Sequence, residues 1–290
     1  MKFSRKGFSL VELLVVVGII ATLMGIALPA LSKARRQSWE LLNINNQRNI
    51  VRAVTNFALD HNDRYPESVA TIGSASYWNW QEPMMLTAFK SRSPGLNRSV
   101  SAYLREYIKN VDTMICPCAP DRNPYLEEMW QMGEMWDNPD TPSSDAPFFG
   151  TYCFYWNYTG YLDKEEGPLL GPHRIGDSRR RSSILISDYL GYDNWRSPDM
   201  FSSCEQFKHA EIADGLRLSS TFWTCTPGED FSMDLLGINL KAGYTDGHVE
   251  SYSPLQVFPM EVSNKSDGSE PYPEGVGPGT IFLPKNSLSF

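Results

Sequence analysis

One carboxylate stands inside a long apolar segment near the start of the chain. Glu12 is the only charged residue between Phe8 and Leu31, a run of 24 residues. A charged side chain in lipid costs about 3 kcal/mol at the centre of a helix, so it usually has a functional partner. If the chain is cut after Gly7, the new amine of Phe8 lies one helical turn from Glu12 on the same face. The amine of a neighbouring copy, shifted along the helix axis, would neutralise this carboxylate.

The segment around Glu12 is long enough to cross a bilayer. As a helix, Phe8–Leu31 would be about 36 Å long. A secretory signal peptide has a shorter apolar region, roughly 7–15 residues, followed by a small-residue cleavage site, and Ser32-Lys33-Ala34 offers no such site. A plain single-pass anchor explains every residue except Glu12. The short leader Met1–Gly7 contains three basic residues, which favours a cytoplasmic N-terminus.

The residues Gly7-Phe8-Ser9-Leu10-Val11-Glu12, followed by an apolar helix with Pro29 towards its far end, resemble the class III signal of type IV pilins and type II secretion pseudopilins. The resemblance implies that a prepilin peptidase cuts between Gly7 and Phe8, that the Phe8 amine is N-methylated, and that Glu12 supports filament assembly. It implies a single-pass inner-membrane protein whose C-terminal domain is periplasmic, or extracellular after assembly. Its partners would be the peptidase and other pilin-like subunits. We therefore expect a structural subunit of a type IV pilus or secretion pseudopilus, and no enzymatic activity.

A second resemblance lies near the C-terminus. Asp246-Gly247-His248-Val249, preceded by Cys116-Pro117 and by the Ile184–Asp188 run, is similar to a bacterial group of prepilin-type proteins with a His-x9-Asp-Gly domain. In that pattern a His stands ten positions before the Asp. Leu236 occupies this position here, so no role of that His carries over to this chain.

The pattern of apolar residues predicts an α+β fold organised on one long helix. We expect a leader at 1–7, a transmembrane helix at 8–31, its amphipathic continuation at 32–62, a periplasmic β-rich domain at 63–262 and a flexible tail at 263–290. The helix would run from Phe8 to about Leu59, roughly 78 Å. Ile50, Val54 and Phe57 form its apolar stripe. We expect these polar residues to face water: Asn43, Asn45, Gln47, Arg48 and Arg52.

Five shorter patterns predict local structure in the domain. Ser99 caps a helix that runs to Lys109, and Met114–Pro117 reads as an edge strand. Ser182–Asp188 is a buried strand whose final Asp188 caps a turn. Asp246-Gly247 closes a two-residue hairpin loop that pairs Tyr244 with Val249 and leaves His248 and Glu250 on the wetter face. Thr280–Leu283 forms a last short strand.

Charge and cysteine content narrow the possible functions. Residues 1–36 carry six Lys/Arg and one Glu, so the net charge of −8 leaves −13 on residues 37–290. An acidic domain argues against binding to nucleic acid. The five cysteines would lie in a compartment that permits disulfides, and their odd number leaves at least one unpaired or joined to another chain. Cys116-Pro117-Cys118 lacks a second ligand pair, so we favour structural cysteines over a metal site.

Several other clusters admit two interpretations. Asp137-Asn138-Pro139-Asp140 could bind calcium, although the EF-hand pattern is absent and a solvated acidic loop is favoured. His248 and Glu250 with Asp246 form at most a weak metal site. The aromatic run Tyr77–Trp80 could contact sugars or pack in the domain, and sugar binding gives the alternative function, a membrane-anchored module for a polysaccharide or another surface ligand. We predict no cofactor and no catalytic residue.

Overall fold

The computed structural model describes residues 9–70, 82–87, 99–132, 148–177, 181–192, 200–204, 222–226, 232–233, 236–263 and 279–288. The predicted cleavage residues Gly7 and Phe8 lie outside these ranges, as do the candidate calcium segment at 137–140, the aromatic run at 77–80 and most of the predicted tail. The chain divides into two compact units, residues 1–42 and 43–290.

The long helix is present as predicted. Helix α1 extends from Leu10 to Asp60 and contains Pro29. In the first unit, its apolar residues are exposed. In the second unit, Ile50, Val54 and Phe57 are buried, which confirms the amphipathic stripe. The helix ends before His61-Asn62-Asp63, where Asn62 and Asp63 adopt positive φ angles.

Two antiparallel sheets follow in the described part of the chain, which confirms the α+β, pilin-like architecture. The four-stranded sheet has the order β1-β4-β8-β9, and the seven-stranded sheet has the order β3-β2-β10-β11-β5-β6-β7. The strands are β1 Tyr152–Phe154, β2 Thr159–Asp163, β3 Gly167–Leu170, β4 Ile184–Asp188, β5 Leu190–Tyr192, β6 Met200–Ser202, β7 Trp223–Cys225, β8 Leu240–Tyr244, β9 Val249–Tyr252, β10 Val257–Glu261 and β11 Thr280–Pro284. The predicted strands at Ser182–Asp188 and Thr280–Leu283 are thus confirmed. Asp188 ends β4 in one sheet, and Leu190 begins β5 in the other.

The second part of α1 packs on the four-stranded sheet. Gly243 in β8 allows this approach, because a Cβ atom there would lie 2.8 Å from Cγ2 of Val51 and 2.9 Å from Cγ2 of Ile186. The core of the unit is built from this helix face and from large aromatic side chains in and directly after β1. Tyr152, Tyr155 and Trp156 are all buried.

The β8–β9 hairpin differs from its prediction by one residue in register. Gly243, and not Tyr244, pairs with Val249. Beyond this pair, Tyr244 N donates to His248 O at 3.0 Å, which leaves a loop of three residues, Thr245-Asp246-Gly247. A hydrogen bond from Gly247 N to Tyr244 O of 2.9 Å closes this loop. Gly247 has a φ of 90°, as expected for a turn that ends in a left-handed residue. The Asp-Gly pair is compatible with both loop lengths, and the structure adopts the longer one.

Two shorter elements differ from their predictions, and one helix was not predicted. Ser99 does cap a helix, accepting a hydrogen bond from Ala102 N, but this helix α2 covers only Val100–Leu104. The predicted edge strand at Met114–Pro117 is wrong, because Val111–Met114 forms a 3-10 helix capped by Asn110. The acidic segment after Cys118 contains helix α3, Leu126–Met132, which buries Met129 and Trp130. Two further 3-10 helices cover Pro254–Gln256 and Lys285–Leu288.

Candidate functional site

The N-terminal signal helix

Glu12 lies in the first turn of α1 and caps it. The Ser9 amide donates to Glu12 Oε2 at 2.9 Å, and the Glu12 amide donates to Ser9 Oγ at 3.2 Å. These reciprocal bonds form a capping box, in which each side chain satisfies a backbone N–H group that the helix leaves unpaired. The Ser-x-x-Glu spacing in Ser9–Glu12 was the sequence signal for this feature. The carboxylate therefore has a local role within its own chain.

The first unit exposes an apolar surface along α1. Leu10 is 79% exposed and Ile26 is 73% exposed. No part of the most apolar stretch of this helix is buried, and the helix is long enough and apolar enough to cross a membrane. Burial of each large apolar side chain contributes about 1.5–3 kcal/mol, so a helix of this kind requires lipid or protein around it. The exposed large apolar residues of this segment are Leu10, Val11, Leu13, Leu14, Val15, Val16, Val17, Ile19, Ile20, Leu23, Met24, Ile26, Leu28 and Leu31.

The Asp188 cluster

A buried carboxylate connects α1 to the four-stranded sheet within the second unit. Asp188 is fully buried at the end of β4. Asn43 Nδ2 donates to both Asp188 oxygens at 3.0 Å, and Gln47 Nε2 donates to Oδ1 at 3.1 Å. The Lys241 amide in β8 donates to Oδ2 at 2.7 Å. We call these four residues the Asp188 cluster.

Sequence reasoning placed three members of this cluster wrongly. Asn43 and Gln47 do not face water, since both are fully buried. Asp188 does not cap a turn, since it accepts bonds from side chains 141 and 145 residues earlier in the chain. The available signal was helical phase, because Asn43 and Gln47 continue the spacing of Ile50, Val54 and Phe57 towards the N-terminus.

Burial dominates the electrostatics of this cluster. It raises the pKa of the Asp188 carboxyl to about 6, while the hydrogen bond from Asn43 and the positive charge of Lys241 oppose the rise. Desolvation disfavours the charged form, and donated hydrogen bonds favour it. The Lys241 side chain is itself buried, and its ammonium donates to Asn239 O at 2.7 Å.

Three cysteines beside the Asp188 cluster

Cys116, Cys118 and Cys204 meet in the domain interior, and we call them the three-thiol cluster. All three are buried, and their Sγ atoms lie within 4.8 Å of one another. Burial raises the pKa of the Cys116 thiol. The hydrogen bonds that the Cys204 thiol donates to Cys116 and Cys118, together with burial, raise the pKa of Cys204. The sequence showed the Cys116-Pro117-Cys118 pair but not its partner Cys204, which β6 brings to it from 86 residues further along.

The two clusters share a contact. Asn43 Nδ2 lies 3.4 Å from Cys204 Sγ and donates to Asp188 as well. The Tyr152 hydroxyl donates to Asn43 Oδ1 at 2.8 Å, and Ile115 O lies 3.1 Å from the same hydroxyl. Asn43 thus joins the helix, the carboxylate and the thiols.

Other candidate residues

The three hairpin residues of the weak candidate metal site are all engaged in hydrogen bonds with other groups. Asp246 Oδ1 lies 2.5 Å from Nδ1 of His248 and accepts from the His248 amide at 3.0 Å. Tyr244 donates to Glu250 Oε1 at 2.6 Å and stacks on the His248 ring. Leu236, at the position where the similar group has a His, is buried.

Five large aromatic side chains in the described ranges pack inside the domain. Tyr152, Tyr155, Trp156 and Tyr158 are at most 2% exposed, and Trp130 is equally buried. Packing is therefore the role of these five side chains. The run at 77–80 lies outside the described residues.

Comparison with known proteins

Residues 2–28 match the family model described as "Prokaryotic N-terminal methylation motif". The chain thus carries a prepilin-type N-terminal signal, and the match ends within α1. No curated protein and no solved structure matches this chain. The signal, the long apolar helix and the antiparallel sheets together are consistent with a type IV pilin-like protein. Such a signal supports a prepilin-like substrate of type IV pilus or pseudopilus systems and is typical of structural subunits.

Proposed function

We propose that this protein is a pilin-like structural subunit. A prepilin peptidase cuts it between Gly7 and Phe8, and the new Phe8 amine is N-methylated. The processed helix holds the protein in the inner membrane as a single span with the domain on the periplasmic side. The helix then joins other pilin-like subunits in a type IV pilus or type II secretion pseudopilus.

The observation that carries this proposal is the exposure of the apolar side chains of α1 in the first unit. A side chain such as Ile26, 73% exposed on its own chain, is stable in lipid and equally stable against the helix of another subunit. The same apolar surface therefore contacts lipid before assembly and neighbouring subunits after it. The methylation motif covers this segment and supplies the independent support.

Glu12 has two roles in this proposal. In the single chain it caps α1 through Ser9. In the filament it pairs with the Phe8 amine of a neighbouring subunit, because an unpaired carboxylate among apolar helices is costly. The capping bonds hold the side chain at the helix start, where it is exposed and can meet the amine of another subunit.

Processing is tested by mass spectrometry of the N-terminus of the protein purified from its native membrane. We expect the chain to begin at N-methylated Phe8. An intact Met1, or a start after Leu31, would overturn the proposal and leave an anchored or secreted domain.

Assembly is tested with variants that separate the charge of Glu12 from its cap. Glu12→Gln keeps a capping-box side chain and removes the charge, whereas Ser9→Ala removes half of the cap and keeps the charge. We expect Glu12→Gln and Glu12→Ala to be processed but to lose filaments, and Ser9→Ala to assemble. Normal filaments from both Glu12 variants would refute the assembly role. Processed wild-type protein that never associates with another subunit would instead favour the anchored binding module.

A further inference from the structure

The three-thiol cluster has the composition of an ion site. Cys116 and Cys118 come from the segment after the 3-10 helix Val111–Met114, and Cys204 follows β6. An ion bonded to three sulfurs at 2.3 Å in one plane holds them about 4 Å apart. The observed Sγ atoms all lie within 4.8 Å of one another, so small side-chain movements suffice to bring them to that spacing.

The backbone around the thiols is fixed. The Cys116 amide donates to Thr151 Oγ1 at 2.7 Å, and Trp223 Nε1 donates to Cys118 O at 2.8 Å. The Cys204 amide donates to Ser202 Oγ at 3.3 Å. Each cysteine is therefore held in place through its backbone, which lowers the ordering cost of binding an ion at the sulfur atoms.

The surroundings also provide positive and donor groups. Asn43 Nδ2 lies 3.4 Å from Cys204 Sγ, a contact suited to a thiolate. The buried Lys241 ammonium and the Cys204 thiol share one neighbour, Asn239 O, at 2.7 Å and 3.8 Å. The positive charge of Lys241 also interacts with Asp188 and offsets the negative charge of that carboxylate beside the three-thiol cluster.

We propose that Cys116, Cys118 and Cys204 bind one thiophilic d10 metal ion, Zn²⁺ or Cu⁺, within the domain. Binding breaks three S–H bonds, forms three metal–sulfur bonds and releases three protons to the solvent, with no change in oxidation state. Three sulfur ligands suit Cu⁺, which accepts three-coordination. They also suit Zn²⁺ with a water or other oxygen as the fourth ligand.

A disulfide is the competing chemistry. It would join two of the sulfurs, leave the third thiol buried and require a disulfide oxidant outside the protein. The metal ion uses all three sulfurs, which is why we favour it. The proposal does not depend on filament assembly, so it stands or falls separately from the proposed function.

The test uses the full-length chain in detergent, purified without oxygen and with reductant. Metal content is measured by elemental analysis, and the protein is titrated separately with Zn²⁺ and Cu⁺. Co²⁺ serves as a spectroscopic probe, since thiolate ligands give an intense sulfur-to-cobalt charge-transfer band. We expect one ion per chain, and sulfur ligation in the spectrum.

The variants Cys116→Ala, Cys118→Ala and Cys204→Ala should each weaken binding by at least about 100-fold, more than the 10–100-fold typical of indirect partners. Cys153→Ala is the matched control, because Cys153 is equally buried but is not in the cluster. Asn43→Ala should weaken binding by about 10-fold. Circular dichroism of each apo variant checks that a loss of binding is not a loss of folding.

Three outcomes would overturn the proposal. One is a disulfide between Cys204 and Cys116 or Cys118 in a parallel preparation made without reductant, with no stoichiometric binding after reduction. Another is a Cys204→Ala variant that is folded and binds as tightly as the wild type. The third is equal loss in Cys153→Ala, which would show that binding follows fold stability and not these ligands.

Discussion

Asn43 and Asn45 form a matched pair on which the interpretation of the Asp188 cluster can be tested. They lie two residues apart in α1, one fully buried and the other exposed. Replacement by Ala changes helix propensity equally at both, in favour of Ala by roughly 0.5 kcal/mol. Any further difference between the two variants therefore reports the contacts of Asn43.

The contacts of Asn43 set the expected magnitude. Its Nδ2 donates to both oxygens of Asp188, and its Oδ1 accepts from Tyr152. A hydrogen bond to a charged group contributes about 1.5–3 kcal/mol, and a neutral one about 1 kcal/mol. Asp188 keeps two other donors, and Tyr152 keeps Ile115 O, so the loss is partial. We expect Asn43→Ala to lower the free energy of unfolding by about 3 kcal/mol and Asn45→Ala to raise it by a few tenths.

The assay is equilibrium unfolding of the full chain in urea and detergent, with chelator and reductant present so that no metal contributes. Fluorescence of the buried Trp130 and Trp156 reports the domain. The dependence on denaturant should be the same in all three proteins, which shows that only stability has changed. Equal unfolding midpoints for Asn43→Ala and Asn45→Ala would refute the reasoning, because a buried side chain with these bonds cannot be equivalent to an exposed one.

Three further predictions concern the same unit. Because burial raises the pKa of Asp188 from 3.8 to about 6, the folded state holds this proton more tightly than the unfolded state. The contribution of Asp188 to the free energy of unfolding is greatest below about pH 4 and falls by about 3 kcal/mol as pH rises through 6. The free energy of unfolding of the metal-free protein should therefore decrease with pH in this range. Asp188→Asn should abolish this decrease, whereas Glu128→Gln, which changes an exposed carboxylate, should keep it. An increase with pH would mean that the hydrogen bonds outweigh burial. Gly243→Ala should destabilise by about 1–3 kcal/mol, because its Cβ would lie 2.8 Å from Cγ2 of Val51. Val51→Ala should lower the free energy of unfolding less in the Gly243→Ala protein than in the wild type. Strict additivity in a double-mutant cycle would contradict a contact between positions 51 and 243. Gly247→Ala should cost about 1–2 kcal/mol from its φ of 90° alone, whereas Gly247→Asn should cost less; equal thermal stability of the two variants would argue against backbone strain.

The sequence was informative about several local patterns. The apolar run, the Ser9–Glu12 spacing and the stripe from Ile50 to Phe57 all report on neighbours within one or two turns, and α1 follows from them. The strand at Ile184–Asp188 was equally readable, because four apolar or small residues precede its final carboxylate.

The sequence was misleading where the polarity of a side chain was taken to show that it faces solvent. Asn43 and Gln47 read as solvent-facing because they are polar, although their helical phase is that of the apolar stripe. Their burial depends on Asp188, a partner 145 and 141 residues away, and no local pattern contains that information. Cys204 joins Cys116 for the same kind of reason, through strand pairing that only the complete sheets define.

The long sequence separation within the Asp188 cluster has a consequence for synthesis. Asn43 leaves the ribosome long before Asp188, and Lys241 follows another 53 residues later. At about 5–20 residues per second, Asn43 waits roughly 10–40 seconds for both partners. During this interval the stripe from Asn43 to Phe57 is a translated but unpaired surface, next to a segment that is already able to enter the membrane. Asn43 and Gln47, the polar residues at the start of this stripe, keep its first turn hydrated until Asp188 has been made.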